Sequence, residues 1–153
     1  MGHCPIIANL RASLFGHWYL ACLPDSIVAV PQGFWTSIML AMANNVAPMY
    51  GLLGGLASGR GHSLHARIAA TLPSTPDSQL RMKPNAVFQI AQLRAINFKG
   101  GKFAHAPAGA LITPDIILET KSGGKQKYGV HGPDFQKSCA QLQKMYPDLC
   151  KSI

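Results

Sequence analysis

Eight basic side chains, Arg81, Lys83, Arg94, Lys99, Lys102, Lys121, Lys125 and Lys127, fall between residues 81 and 127, where the acids are Asp115 and Glu119. The stretch carries a local charge of +6 in a chain whose formal net charge is +8. Ammonium and guanidinium groups at this density attract anions: lipid headgroups, nucleic acid or an acidic protein surface. A solvated face kept for solubility has the same composition, so charge alone does not choose. Arg94, Lys99, Lys102, Lys121, Lys125 and Lys127 are the candidate anion-binding residues. Holding an anion this way calls for no cofactor, and none is expected.

Other chemistries find less support. His62 and His65 are three apart and can share a helix face, but a metal needs more ligands and no Asp, Glu or Cys lies near. Beside Arg60 and Arg67 they read as a basic patch, and no metal site is assigned. Cys4, Cys22, Cys139 and Cys150 contain no C-x-x-C pair, so they suggest neither a zinc cluster nor a disulfide framework. Reduced thiols in a cytoplasmic setting are the expectation. Asp115 and Glu119, four apart in a predicted strand, point to one face, yet their flanks read as structural. Ser13, Ser26 and Ser37 lack a G-x-S-x-G context, Cys22 with His17 is a pair by composition only, and the glycines form no phosphate loop. No catalytic residue is assigned, and a non-enzymatic role is expected.

The elements that must position the cations follow from period and turn chemistry. Asp115–Thr120 and Lys125–Val130 are β-rich runs separated by Ser122-Gly123-Gly124, which supplies the positive φ of a tight turn, so a β-hairpin is predicted. Pro133 suits a first helical turn, and Phe135, Cys139, Leu142 and Met145 recur at three- and four-residue steps, predicting a closing amphipathic helix. Gly16–Val30 reads as a second hairpin around Leu23-Pro24-Asp25-Ser26. Asn85–Lys99 is β-rich, with Ile96 and Phe98 alternating against Arg94, Asn97 and Lys99. Residues 1–15 fit a short helix or a lead-in strand equally well.

From Ser26 to Gly59 there are 34 consecutive residues without Asp, Glu, Lys, Arg or His. Length permits a membrane span of about 20 residues. Asn44-Asn45 at its centre, Pro48, and Gly51, Gly54 and Gly55 argue instead for two short helices joined near Asn45–Pro48. Phe34, Trp35, Ile38, Met39, Met42, Tyr50 and Leu53 are the candidates for insertion into a membrane or a partner. Ser58–Pro84, rich in Gly, Pro and Ser, reads as a flexible connector. An exposed apolar helix pair is a large patch for a monomer, so a homo-oligomer or a protein partner is expected. At the N-terminus, Gly2 is present but position 6 is Ile, not the Ser or Thr of a myristoylation signal, and no secretory signal is read.

The run IAQLRAINFKGG, then a loop, then IILETKSGGKQKYGV, then a closing helix, resembles the C-terminal half of small bacterial pleckstrin-homology-like and GRAM-like domains. GHWYLACLPDSIVAVPQG is similar to the opening strand pair of that family. The resemblance implies an α+β fold in which a bent antiparallel sheet is capped by a C-terminal helix. Ile90–Lys99 would supply middle strands, Ile116–Thr120 and Gln126–Val130 the last two, and Pro133–Met145 the cap. Residues 1–153 would form one domain with an apolar helical insertion at about 33–58 and the connector at about 59–84. Trp18–Val30 lacks the clustered Lys and Arg that phosphoinositide binders carry there. The implied function is a membrane-associated or protein-interaction module, cytoplasmic and peripheral at or embedded in the membrane. The alternatives are a small integral membrane protein with a basic cytoplasmic domain, in which Arg60 and Arg67 place the C-terminal side inside, and a nucleic-acid-binding protein using Phe98 and Tyr128 for stacking.

Overall fold

The computed structural model describes residues 4–11, 17–32, 70–82, 86–100, 104–105, 111–112, 114–130 and 132–152. The fold is α+β, with two sheets built mainly of antiparallel strands and a C-terminal helix. Strands β1 (Ile6–Arg11), β2 (His17–Cys22), β3 (Ser26–Pro31) and β4 (Ala86–Gln89) form an antiparallel meander. A 3-10 turn at Ile90–Gln92 leads into β5 (Leu93–Lys99). Two-residue strands β6 (Ala104–His105) and β7 (Leu111–Ile112) pair only with each other. Then β8 (Asp115–Thr120) and β9 (Lys125–Val130) form the predicted hairpin, followed by α2 (Gly132–Met145) and a short β10 (Cys150–Ser152). Helix α1 (Asp77–Leu80) is a single turn ahead of β4.

The spatial order β10-β5-β8-β9-β1-β2-β3-β4 dictates curvature. β4 ends one side of the sheet and β5 stands next to the other end, yet three residues join them. Three residues reach about 11 Å at most, so the sheet must curl until its ends nearly meet. The corner is fixed from both sides: Ile90 N–H donates to the Asp25 carbonyl at 2.8 Å and Lys121 N–H to the Gln92 carbonyl at 2.9 Å. β1 belongs to both halves of the bend, pairing β2 along its length and β9 at Leu10 and Arg11, with a register shift between Ile7 and Leu10. Such irregularities sharpen bending and twist.

Inside the bend lie Leu20, Cys22, Ile27, Ile96, Phe98, Ile116, Leu118, Tyr128 and Val130, closed over by Leu142 and Tyr146 of the α2 end. Tyr128 meets the Trp18 ring edge-on, centroids 6.2 Å apart. The opposite face of β2 and β3 is also buried, with Tyr19, Ala21 and Val28 packed with Leu72 and Leu80. Burial on both faces explains why WYLAC and IVAV are continuous apolar runs and do not alternate.

Several expectations shift. The lead-in segment, open between helix and strand, is β1 over Ile6–Arg11. The single β-rich run Asn85–Lys99 is divided by the corner, and Ile90 belongs to the 3-10 turn, not to a middle strand. Within the stretch read as a connector, Ala70–Met82 holds a 3-10 turn and α1, with Leu72 and Leu80 buried. The insertion candidates Phe34, Trp35, Ile38, Met39, Met42, Tyr50 and Leu53, and with them the helical insertion, lie outside the described residues. Among the described residues no helix is long and apolar enough to cross a membrane.

Candidate functional site

Strand parity decides what the outer surface of the β5–β8–β9 layer carries. Ile96, Phe98, Ile116, Leu118 and Tyr128 point into the core, so their strand neighbours point out. Pairing sets Ala95, Glu119 and Lys125 in one row, Asn97, Ile117 and Lys127 in the next, and Lys99, Asp115 and Gly129 in the third. Neighbouring strands are about 4.8 Å apart and alternate residues along a strand about 6.8 Å apart, so this is a closely spaced grid. Arg94 reaches the same surface where the β5–β8 register shifts between Leu93 and Ala95. Lys121 stands at the tip of the hairpin.

The tip is built to hold that geometry. Gly123 has φ of 90°, and the Gly124 N–H donates to the Thr120 hydroxyl at 2.9 Å while Thr120 N–H donates to the Gly124 carbonyl at 2.8 Å. Lys121 and Lys125 are thereby set on either side of the turn. The two acids are folded beneath the cations. Glu119 accepts the Asn97 amide at 3.2 Å and lies 3.7 Å from both Arg94 and Lys125; Asp115 lies 3.0 Å from Lys127. The carboxylate side chains are 15% and 9% exposed, whereas Arg94, Lys125 and Lys127 are 64–68% exposed. The cation ends of these pairs are in solvent, so an arriving anion can contact them from above while the carboxylates stay beneath. Among the described residues Lys99 and Lys121 have no carboxylate partner.

Four of the six candidate cations, Arg94, Lys99, Lys125 and Lys127, therefore share one surface, Lys121 stands exposed at the hairpin tip beside it, and Lys102 lies outside the described residues. Lys151 joins them without any signal in the sequence pattern. It pairs across from Asn97 because β10 adds to β5 in parallel, and only that tertiary pairing brings the chain end to this face. With it, six cations surround two carboxylates.

The remaining candidates do not assemble. Phe98 and Tyr128 are 6% and 1% exposed and face the core, so neither is a stacking platform on this surface. His17 and Cys22 sit at opposite ends of β2, about 17 Å apart at strand rise, too far for a nucleophile and base. All four cysteines are free. Burial pushes the Cys22 thiol up to about 12 and Cys150 up to about 11, so both are neutral thiols near pH 7. The Ser26 hydroxyl is committed to Asp25 at 2.9 Å. Ser13, Ser37, His62 and His65 lie outside the described residues. Among the described residues no three His, Cys, Asp or Glu side chains gather as metal ligands.

Comparison with protein-family models, curated proteins and solved structures finds no match to this chain.

Proposed function

We propose that this chain is a non-catalytic, pleckstrin-homology-like module of the cytoplasmic side that associates with anionic membrane surfaces through the outer face of β5, β8 and β9. One observation carries the reading: Arg94, Lys99, Lys125 and Lys127 lie on a single exposed sheet face with Lys121 at its hairpin tip, above acids that are nearly buried. Cations dispersed over a grid of this extent complement an extended anionic surface better than a single small anion. Each suitably placed Lys or Arg contributes about 1 kcal/mol at an anionic bilayer.

The strand order supports the family resemblance. A bent, mainly antiparallel sheet, with the β8–β9 pair last and a closing helix after it, is compatible with what that resemblance implies. The pairing of β3 with β4 also bears on the apolar run between them. Ser26 to Ala29 pair with Gln89 to Ala86, so β3 and β4, which flank the apolar run, lie on one side of any bilayer. A single crossing does not fit this, which weighs against an integral protein with one span. The inward Phe98 and Tyr128 weigh against a single-stranded nucleic-acid platform. Co-sedimentation with anionic and neutral vesicles at low and high salt tests the proposal, and an acidic protein partner would show as binding to polyglutamate without binding to vesicles.

A further inference from the structure

β10 lies beyond β5 and pairs with it in parallel, Cys150 with Ile96 and Lys151 with Asn97, and the Ile96 N–H donates to the Leu149 carbonyl at 2.7 Å. Cys150 packs against the core beside Ile96, so parity turns the exposed Lys151 outward, into the row of Lys127, Ile117 and Asn97. Lys99 stands one strand away and two residues further along β5, about 8 Å from Lys151 by strand spacing and rise.

The acids of the chain show how the charge on this face is distributed. There are six, Asp25, Asp77, Asp115, Glu119, Asp134 and Asp148, and all lie among the described residues. Asp25 and Asp77 hold Arg81. Glu119 serves Arg94 and Lys125, and Asp115, which faces Lys99 across the β5–β8 ladder, is taken by Lys127 at 3.0 Å. Asp134 stands in the first turn of α2, and Asp148 precedes β10. Neither Lys99 nor Lys151 has an ion pair with any of the six. With Lys121 at the tip, these two are the uncompensated cations of the face.

We infer that docking of β10 on β5 completes the anion-binding face by setting Lys151 beside Lys99, so that capture of an anionic bilayer and retention of the chain end in the sheet are coupled. This rests on the reading of the basic face given above. Two neighbouring cations without ion-paired acids attract headgroups more strongly than cations already paired, and one of these two is in place only while β10 is docked. The contact made by a suitably placed lysine is worth about fivefold in affinity. By reciprocity, a bilayer that gains this from the docked state holds β10 in the sheet by the same factor.

Two measurements on the full chain test this. The first is co-sedimentation with phosphatidylcholine vesicles containing phosphatidylserine. Lys151→Ala should bind about fivefold more weakly than the wild type, and Lys151→Arg should bind like it. Lys144→Ala removes the same charge from the exposed side of α2, which packs on the inner side of the bend, and should change binding by less than roughly twofold. The second is hydrogen–deuterium exchange at the Ile96 amide, whose bond to Leu149 reports the docking of β10. Saturating anionic vesicles should slow it about fivefold more in the wild type than in Lys151→Ala. A wild type that does not bind overturns the basic-face reading and this inference with it. Wild-type binding with Lys151→Ala no weaker than Lys144→Ala, or Ile96 exchange that vesicles slow equally in wild type and Lys151→Ala or not at all, overturns this inference alone.

Discussion

The Tyr146 hydroxyl donates to the Leu23 carbonyl at 2.6 Å and lies 3.3 Å from the Ser26 carbonyl, joining the residue after α2 to the β2–β3 turn across 123 positions of sequence. The turn is held on its other side by Arg81 through Asp25 and by the Ile90 N–H. Tyr146→Phe keeps the ring in the core and removes the donor, leaving a buried carbonyl short of a partner. It should lower unfolding free energy by about 1–2 kcal/mol without changing the denaturant slope, as read by urea titration.

Alkaline pH should act at the same place. Burial raises the pKa of the Tyr146 phenol and of the Cys22 thiol, the latter to about 12, so the folded state prefers both groups neutral. A raised folded value means the contribution is complete below the unfolded pKa and is lost as pH climbs through the folded one. Stability should therefore be level near pH 8 and fall above about 9–10, where free thiols and phenols ionise. Thermal unfolding between those limits checks this, with a shallower decline in Tyr146→Phe.

In acid the Asp25 carboxylate is the sensitive group. Hydrogen bonds from Arg81 and from the Ser26 hydroxyl hold its pKa below the ordinary carboxylate range, and the Arg81 charge adds to them. A depressed folded value gives stability that is present above the unfolded pKa and is lost as pH falls through the folded one, here below about 4. Protection of Gln79 and Arg81 amides should drop over that range, and Asp25→Asn should show the loss already at pH 7.

The hairpin tip offers a local test of how the basic face is held. A methyl group added at Gly123, where φ is 90°, meets open space, so the cost of Gly123→Ala is conformational, about 1–2 kcal/mol. Chemical denaturation measures it.

Much of this architecture can be read from residue pattern. The β8–β9 hairpin follows from Ser122-Gly123-Gly124 between β-branched runs, and α2 from the stripe Phe135, Cys139, Leu142, Met145, because both signals are local. β10 is hidden, since Cys150–Ser152 has no periodicity and becomes a strand only because β5 offers an edge. The corner at Ile90–Gln92 is hidden too: its apolar Ile continues the pattern of β4, and the break is imposed by bonds to Asp25 and Lys121. For the candidate face, Lys99, Lys125 and Lys127 are legible through alternation, whereas Arg94 shares the parity of Ile96 and Phe98 and reaches the face only through the register shift beside it. Lys151 and the burial of Asp115 and Glu119 depend on which strands lie side by side.

The most direct test of the basic face is vesicle co-sedimentation of the wild type and of Lys125→Ala/Lys127→Ala, with phosphatidylcholine vesicles alone and with added phosphatidylserine. The expected result is binding to the anionic vesicles only, weakened roughly thirtyfold in the double variant from the loss of about 2 kcal/mol, and abolished by high salt. Equal recovery in the supernatant with both vesicle types, or binding indifferent to the two lysines, would contradict the assignment of this face.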